Sequence, residues 1–167
     1  MPQPTDLFLG EYRRTLDDRF RVAVPLEMCE LLNGAGSEEK TENTCILAKE
    51  RVGCLSLWNQ SIWQTKIDDG VQLVQGKIRA GRLEGKTGQV QMLGRLLSTR
   101  HQQVQLAGRG RLLIPESFRD FLHAESGSEV MIVGAAVCVE IWHPEHWLRY
   151  VEERMPRFRR LFDTLSG

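Results

Sequence analysis

The chain has 167 residues, 41% of them hydrophobic, and no formal net charge, enough for one domain or two small ones with a core built mainly from Val, Leu and Ile. Its longest apolar run, Val130 to Val139, holds ten residues with one Gly, too short to span a bilayer. The opening Met-Pro-Gln-Pro-Thr-Asp lacks the basic and apolar regions of a secretory signal, so a cytoplasmic protein with Cys29, Cys45, Cys54 and Cys138 reduced is expected.

In chain order, Leu9 to Leu16 reads as a strand. Arg21 to Val24 reads as a second, because Phe20, Val22 and Val24 alternate with Arg21 and Ala23. Pro25 stands at a first helical position, Leu26 to Leu32 continue a short helix, and Asn33-Gly34 stops it. A polar insert follows around Gly34 to Thr41. Strands are predicted at Cys45–Lys49 and Cys54–Trp58 about a turn at Arg51-Val52-Gly53. Asn59 then caps a helix with Ile62 and Trp63 facing inward. Residues 64–99 read as a connector of two helices. Val71, Val74 and Ile78 share one helical face, and Val90, Leu93 and Leu97 share another. Gly76, Gly81, Gly85 and Gly88 break the stretch, with a loose turn at about 80–88.

The order then repeats. Gln102–Leu106 and Arg111–Ile114 are strands, and Pro115 opens a helix carrying Phe118, Phe121 and Leu122. Val130–Val133 and Val137–Trp142 form a hairpin turning at Gly134-Ala135-Ala136. Pro144 opens a helix with Trp147, Tyr150 and Val151 that stops near Met155-Pro156, and Arg157–Leu165 adds a last turn or two.

The repetition is visible in the residues themselves. Leu16-Asp17-Asp18-Arg19-Phe20-Arg21-Val22-Ala23-Val24-Pro25 parallels Leu106-Ala107-Gly108-Arg109-Gly110-Arg111-Leu112-Leu113-Ile114-Pro115, an offset of 90. Cys54, Trp58 and Trp63 parallel Cys138, Trp142 and Trp147, an offset of 84. The six-residue difference falls in the first copy's polar insert, where extra length costs little. Two copies of one unit point to a tandem fold with a shared core, and to Trp58 and Trp142 buried at equivalent positions.

Charge is uneven. Lys77, Arg79, Arg82, Lys86, Arg95, Arg100, Arg109 and Arg111 stand against the single acid Glu84, so residues 77–111 carry 8 − 1 = +7. Such a block marks either a nucleic-acid contact or a solvated helix face balanced elsewhere. Asp17 and Arg21 are spaced for a turn carboxylate that caps backbone N–H groups and holds the Arg. An arginine held so is pre-positioned for phosphate or base edges; a purely structural brace uses the same spacing. Arg13, Arg14, Arg19 and Arg21 form a phosphate-contacting stripe if their strand exposes one face, or serve as charged edge protection. His143-Pro144-Glu145-His146 lacks helix-spaced pairing and further ligands nearby, so no metal site is expected. No nucleophile–base pair, phosphate loop, dinucleotide fingerprint or paired-carboxylate pattern supports an enzyme.

Gly10-Glu11-Tyr12-x-x-Thr15-Leu16-Asp17-x-x-x-Arg21-Val22-x-Val24-Pro25 resembles the opening of MraZ proteins, of the AbrB-like swapped-hairpin superfamily. Arg109 to Pro115, Val130 to Gly134 and Glu140-Ile141-Trp142 resemble that family's second repeat, so the likeness runs from about Leu7 to Arg154. It implies an α+β fold of tandem AbrB-like swapped-hairpin β-barrel repeats with pseudo-twofold symmetry, flanked by helices. The expected divisions are repeat 1 at 11–62, a helical connector at 63–100, repeat 2 at 101–146 and a C-terminal helical segment at 147–167. The resemblance further implies a sequence-specific regulator of the bacterial division and cell-wall gene cluster, associated with the nucleoid. Its partners would be double-stranded DNA and further copies of itself in an octameric or dodecameric ring, with no cofactor, membrane or small-molecule substrate. Arg21 would contact DNA with Asp17 orienting it, Arg13, Arg14 and Arg19 would add phosphate contacts, and Arg109 and Arg111 would form the second repeat's counterpart. Two departures stand out: Phe20 replaces the family's usual Gly, and Ala107 replaces the second Asp, leaving Arg111 without its partner. The rival reading is an antitoxin-like swapped-hairpin module that binds a protein and little DNA.

Overall fold

The computed structural model describes residues 7–33 and 43–167; the predicted insert at 34–41 and the opening Met-Pro-Gln-Pro-Thr-Asp lie outside them. The first half runs β1 (Glu11–Thr15), β2 (Arg21–Ala23), α1 (Leu26–Asn33), β3 (Thr44–Arg51) and β4 (Cys54–Asn59). Helices α2 (Gln60–Arg79) and α3 (Thr87–Thr99) connect it to the second half. That half runs β5 (His101–Ala107), β6 (Arg111–Leu113), α4 (Glu116–Leu122), β7 (Glu129–Gly134) and β8 (Val139–Trp142). Helices α5 (Pro144–Arg154) and α6 (Phe158–Ser166) follow.

The strands form one antiparallel sheet in the order β1-β7-β8-β4-β3-β5-β6-β2. The two end strands, β1 and β2, also approach each other, so the sheet curls into a nearly closed barrel. The halves interleave. β1 pairs with β7 and β3 with β5, while β2 pairs with β6 and β4 with β8. Every one of these pairings joins a strand of one half to a strand of the other, so neither half completes its hydrogen bonding alone.

The barrel interior is apolar and drawn from both halves. Leu16, Val22, Leu47, Leu57, Leu112, Ile114, Ile132 and Ile141 are buried in one cluster. Helices α1 and α4 add Met28 and Leu32, and Phe118 and Leu122, two pairs related by the 90-residue offset. Outside the barrel, Trp63 of α2 lies 5.6 Å from Trp58, and Trp147 of α5 lies 5.3 Å from Trp142. Trp58 and Trp142 are 7% and 2% exposed, equivalent and buried as their shared offset implied. Each indole N–H donates two residues back along its own strand, Trp58 to Ser56 at 2.9 Å and Trp142 to Glu140 at 3.0 Å.

Several expectations need correction. The first strand starts at Glu11 and ends at Thr15, because Gly10 turns the chain at φ 118° and leaves Leu9 exposed. Asn59 caps α2 by accepting from the Ile62 N–H at 3.1 Å, yet Ile62 is 52% exposed and only Trp63 turns inward. Gly76 and Gly88 do not break the connector; they lie within α2 and α3, and the chain bends between them at 80–86. Neither connector helix has a buried residue; α2 meets the barrel chiefly at β3 and β4, and α3 at β5.

Candidate nucleic-acid interface

The turn joining β1 to β2 is built on Asp17. Its Oδ1 accepts from the backbone N–H groups of Arg19 at 2.9 Å and Arg21 at 2.8 Å. Its Oδ2 accepts from Arg21 Nε at 2.9 Å. The Asp17 N–H in turn donates to the Arg21 carbonyl at 3.0 Å. The Arg21 N–H, followed by the other donors around it, holds the Asp17 carboxyl below the usual carboxylate range. Arg21 is therefore held at both backbone and guanidinium, in the manner that the Asp-x-x-x-Arg spacing suggested.

Register decides what lies beside it. Arg21 stands opposite Leu113, Val22 opposite Leu112 and Ala23 opposite Arg111. Val22 and Leu112 point into the core, so Arg21, Ala23, Arg111 and Leu113 share the outer face. Arg21 and Arg111 are diagonal neighbours, about 7–8 Å apart at that register. Ala107 is directly opposite Arg111, the place corresponding to Asp17, and it offers Arg111 no carboxylate. Alternation along β5 brings Gln103 and Gln105 to the same outer face, both exposed. These glutamines were missed in the sequence because nothing in their spacing separates them from an ordinary solvated strand.

The remaining arginines do not make one stripe. Arg13 and Arg14 are consecutive on β1 and point to opposite faces. Arg13 pairs with Glu129 at 3.1 Å, both exposed. Arg14 stacks 5.3 Å from the Tyr12 ring centre and donates to the Arg13 carbonyl at 3.0 Å. Arg19 is exposed in the first turn, and Arg109 is exposed in the second at φ 65°. The basic block also divides. Lys77, Arg79, Arg82, Lys86 and Arg95 are exposed on the connector. Arg100 instead donates to the carbonyls of Lys49 and Glu50.

The four cysteines are buried free thiols, and burial pushes Cys45 and Cys138 up to about 12. The structure does add a third imidazole to the histidine motif. The His146 ring lies 5.2 Å from His143 and 5.8 Å from His123. No three acidic, Cys or His side chains among the described residues are grouped to hold a metal. No helix among them is long and apolar enough to cross a membrane.

Similarity to known proteins agrees with this architecture. Residues 97–164 match the family described as "MraZ protein, putative antitoxin-like". The Transcriptional regulator MraZ of Roseiflexus sp. is 28% identical over 141 residues, covering 84% of each chain. That of Heliobacterium modesticaldum is 25% identical over 159 residues, covering 95% of this chain and 96% of its own. The chain is similar to MraZ proteins over most of its length. A third relative of that name, from Thermus thermophilus, is 29% identical over 144 residues and covers 86% of this chain and 87% of its own. These alignments span both halves, so the family's likeness extends over the interleaved barrel as well as the matched C-terminal portion.

Proposed function

We propose that this chain is a sequence-specific, DNA-binding transcriptional regulator. Its barrel would be a tandem AbrB-like swapped-hairpin unit, a reading supported by the pairing of β1 with β7 and β3 with β5 across the two halves. The observation that carries the proposal is Arg21, pinned by Asp17 through backbone and side chain on an exposed face shared with Arg111. A two-stranded ribbon fits the width of a major groove, and a pre-oriented guanidinium suits bidentate contact with a guanine edge. In this reading Asp17 orients Arg21, Arg111 lies beside it, and Arg19 and Arg109 reach phosphates from the turns. Arg13 and Arg14 add peripheral phosphate contacts, Arg13 the weaker because Glu129 partly neutralises it.

The regulator would act as a ring of copies on repeated sites. Two exposed apolar helix faces support assembly. One is Phe158, Leu161, Phe162 and Leu165 at i, i+3, i+4 and i+7 of α6; the other is Met92, Leu93 and Leu96 on α3. Apolar stripes of that kind on a soluble chain mark association surfaces. Relatives named as transcriptional regulators accord with the role.

The test is Arg21→Ala in a gel-shift assay on DNA upstream of the source organism's own division and cell-wall gene cluster, with mass measured in parallel. Loss of specific binding with the assembly intact is expected. Wild-type affinity in that variant overturns the assignment of Arg21, and an unfolded variant assigns Asp17 and Arg21 to turn stability instead.

A further inference from the structure

The turns that present Arg21 and Arg111 share one backbone wiring but are braced by different residue pairs. In the first turn Phe20 sits at φ 58°. Its carbonyl accepts from the Ile114 N–H at 2.9 Å. Arg119 of α4 covers the ring, with its guanidinium carbon 4.1 Å from the ring centre, and its Nε donates to the Ile114 carbonyl at 2.7 Å. In the second turn the equivalent of Phe20 is Gly110, at φ 74°, whose carbonyl accepts from the Val24 N–H at 2.8 Å. The equivalent of Arg119 is Cys29, whose thiol donates to the Val24 carbonyl at 3.5 Å.

The two pairs are complementary in size. A Cβ on Gly110 would stand 2.5 Å from the Val24 oxygen and 2.7 Å from the Cys29 sulfur, so the second turn admits only Gly. The first turn instead carries a bulky residue in a region that such residues avoid. It is retained by the core beneath the ring and by the cation above it. The consequence falls on the next residue, because Phe20 precedes Arg21 directly. Asp17 holds Arg21 from one side, and the Phe20–Arg119 stack fixes the backbone that enters it from the other. Arg111 has neither support, since Ala107 and Gly110 occupy the matching places.

We propose that Arg119 is a positioning residue for DNA recognition. Acting through Phe20, it fixes the Arg21 turn so that this turn discriminates base sequence, while the Arg111 turn supplies phosphate attraction without discrimination. The inference rests on the DNA-binding reading above. Fixed geometry matters most for a bidentate base contact and least for a phosphate contact, which tolerates displacement.

The experiment uses a duplex selected from a random pool by the full wild-type chain, and a shuffled duplex of the same composition. Phe20→Gly places at this turn the residue the second turn already uses, with no change in charge. It should lower the preference for the selected duplex about tenfold and leave the salt slope on shuffled DNA unchanged. Arg119→Ala should lose the same preference, the double variant no more than either single one, and Phe20→Tyr should retain it. Arg111→Ala should weaken both duplexes alike. If Phe20→Gly and Arg119→Ala keep full preference while Arg21→Ala loses it, the bracing role is wrong and the DNA-binding assignment stands. If Phe20→Gly fails to fold, Arg119→Ala alone decides by the same ratio. If the wild-type chain selects no duplex, or Arg21→Ala keeps full preference, the reading of Arg21 falls and this inference falls with it.

Discussion

Asp17 does several jobs with one carboxylate: it caps two backbone N–H groups and neutralises Arg21. Its folded state favours the ionised form, so its contribution is present above the ordinary carboxylate pKa. That contribution is lost as pH falls through the lowered folded value. Asp17→Asn keeps an acceptor for the backbone but gives up the charge. It should be less stable than wild type near neutral pH, and the gap should close in strong acid. Urea unfolding at both pH values checks this, and a gap that persists in acid would show that shape, not ionisation, is what Asp17 contributes. Phe20 shows the opposite kind of residue effect. Its bulk must either change the turn or strain it, and the turn keeps the left-handed backbone at φ 58°.

At the scale of elements, the hairpins β3–β4 and β7–β8 occupy matching places in the two halves and differ in the group that accepts the tryptophan N–H. Ser56 stands opposite Glu140, and each accepts the indole N–H of the tryptophan two residues on. Serine serves that bond without charge. Burial pushes the Glu140 carboxyl up, with the Trp142 N–H working against the shift and Glu50 reinforcing it. Because the folded value is raised, ionised Glu140 costs stability near neutral pH, and the cost fades as pH falls through that value. Glu140→Gln keeps an acceptor for Trp142 and removes the charge. Its thermal midpoint should exceed that of wild type near neutral pH, with a shrinking advantage in acid. Equal midpoints at neutral pH would mean that Arg51, which favours the ionised form, compensates the burial.

For the whole molecule, the cations that the proposal places at the DNA are few, namely Arg21, Arg111, the turn arginines Arg19 and Arg109, and the peripheral Arg13 and Arg14. Under the proposed DNA-binding role, a single copy with so few phosphate contacts would bind weakly, and linked copies would multiply the binding. DNA affinity should therefore fall steeply with salt, by nearly one unit of log–log slope for each neutralised phosphate. A variant held as a monomer, for example Phe158→Glu with Phe162→Glu on the exposed α6 face, should bind multi-repeat DNA much more weakly at equal subunit concentration. Titrating both forms against one and several repeats is the measurement. A monomer that matches the assembled protein on repeated sites would rule out avidity.

What was legible in the sequence is what local chemistry encodes. The strand and helix order follows from period-two and helical spacing, from Pro25, Pro115 and Pro144 opening helices, and from Asn59 as a cap. The tandem character follows from the paired phrases and the Cys–Trp offsets. The Asp17–Arg21 contact was readable because both partners lie within one turn. The tertiary structure alone decided which strands pair across the halves, because hydrogen-bond partners distant in sequence leave no periodic trace. Register then determined that Arg21 and Arg111 share a face with Gln103 and Gln105, and the packing of α2 left Ile62 facing solvent. Arg119 was invisible for the same reason. It lies 99 residues after Phe20, and only the folded barrel lays its guanidinium over that ring.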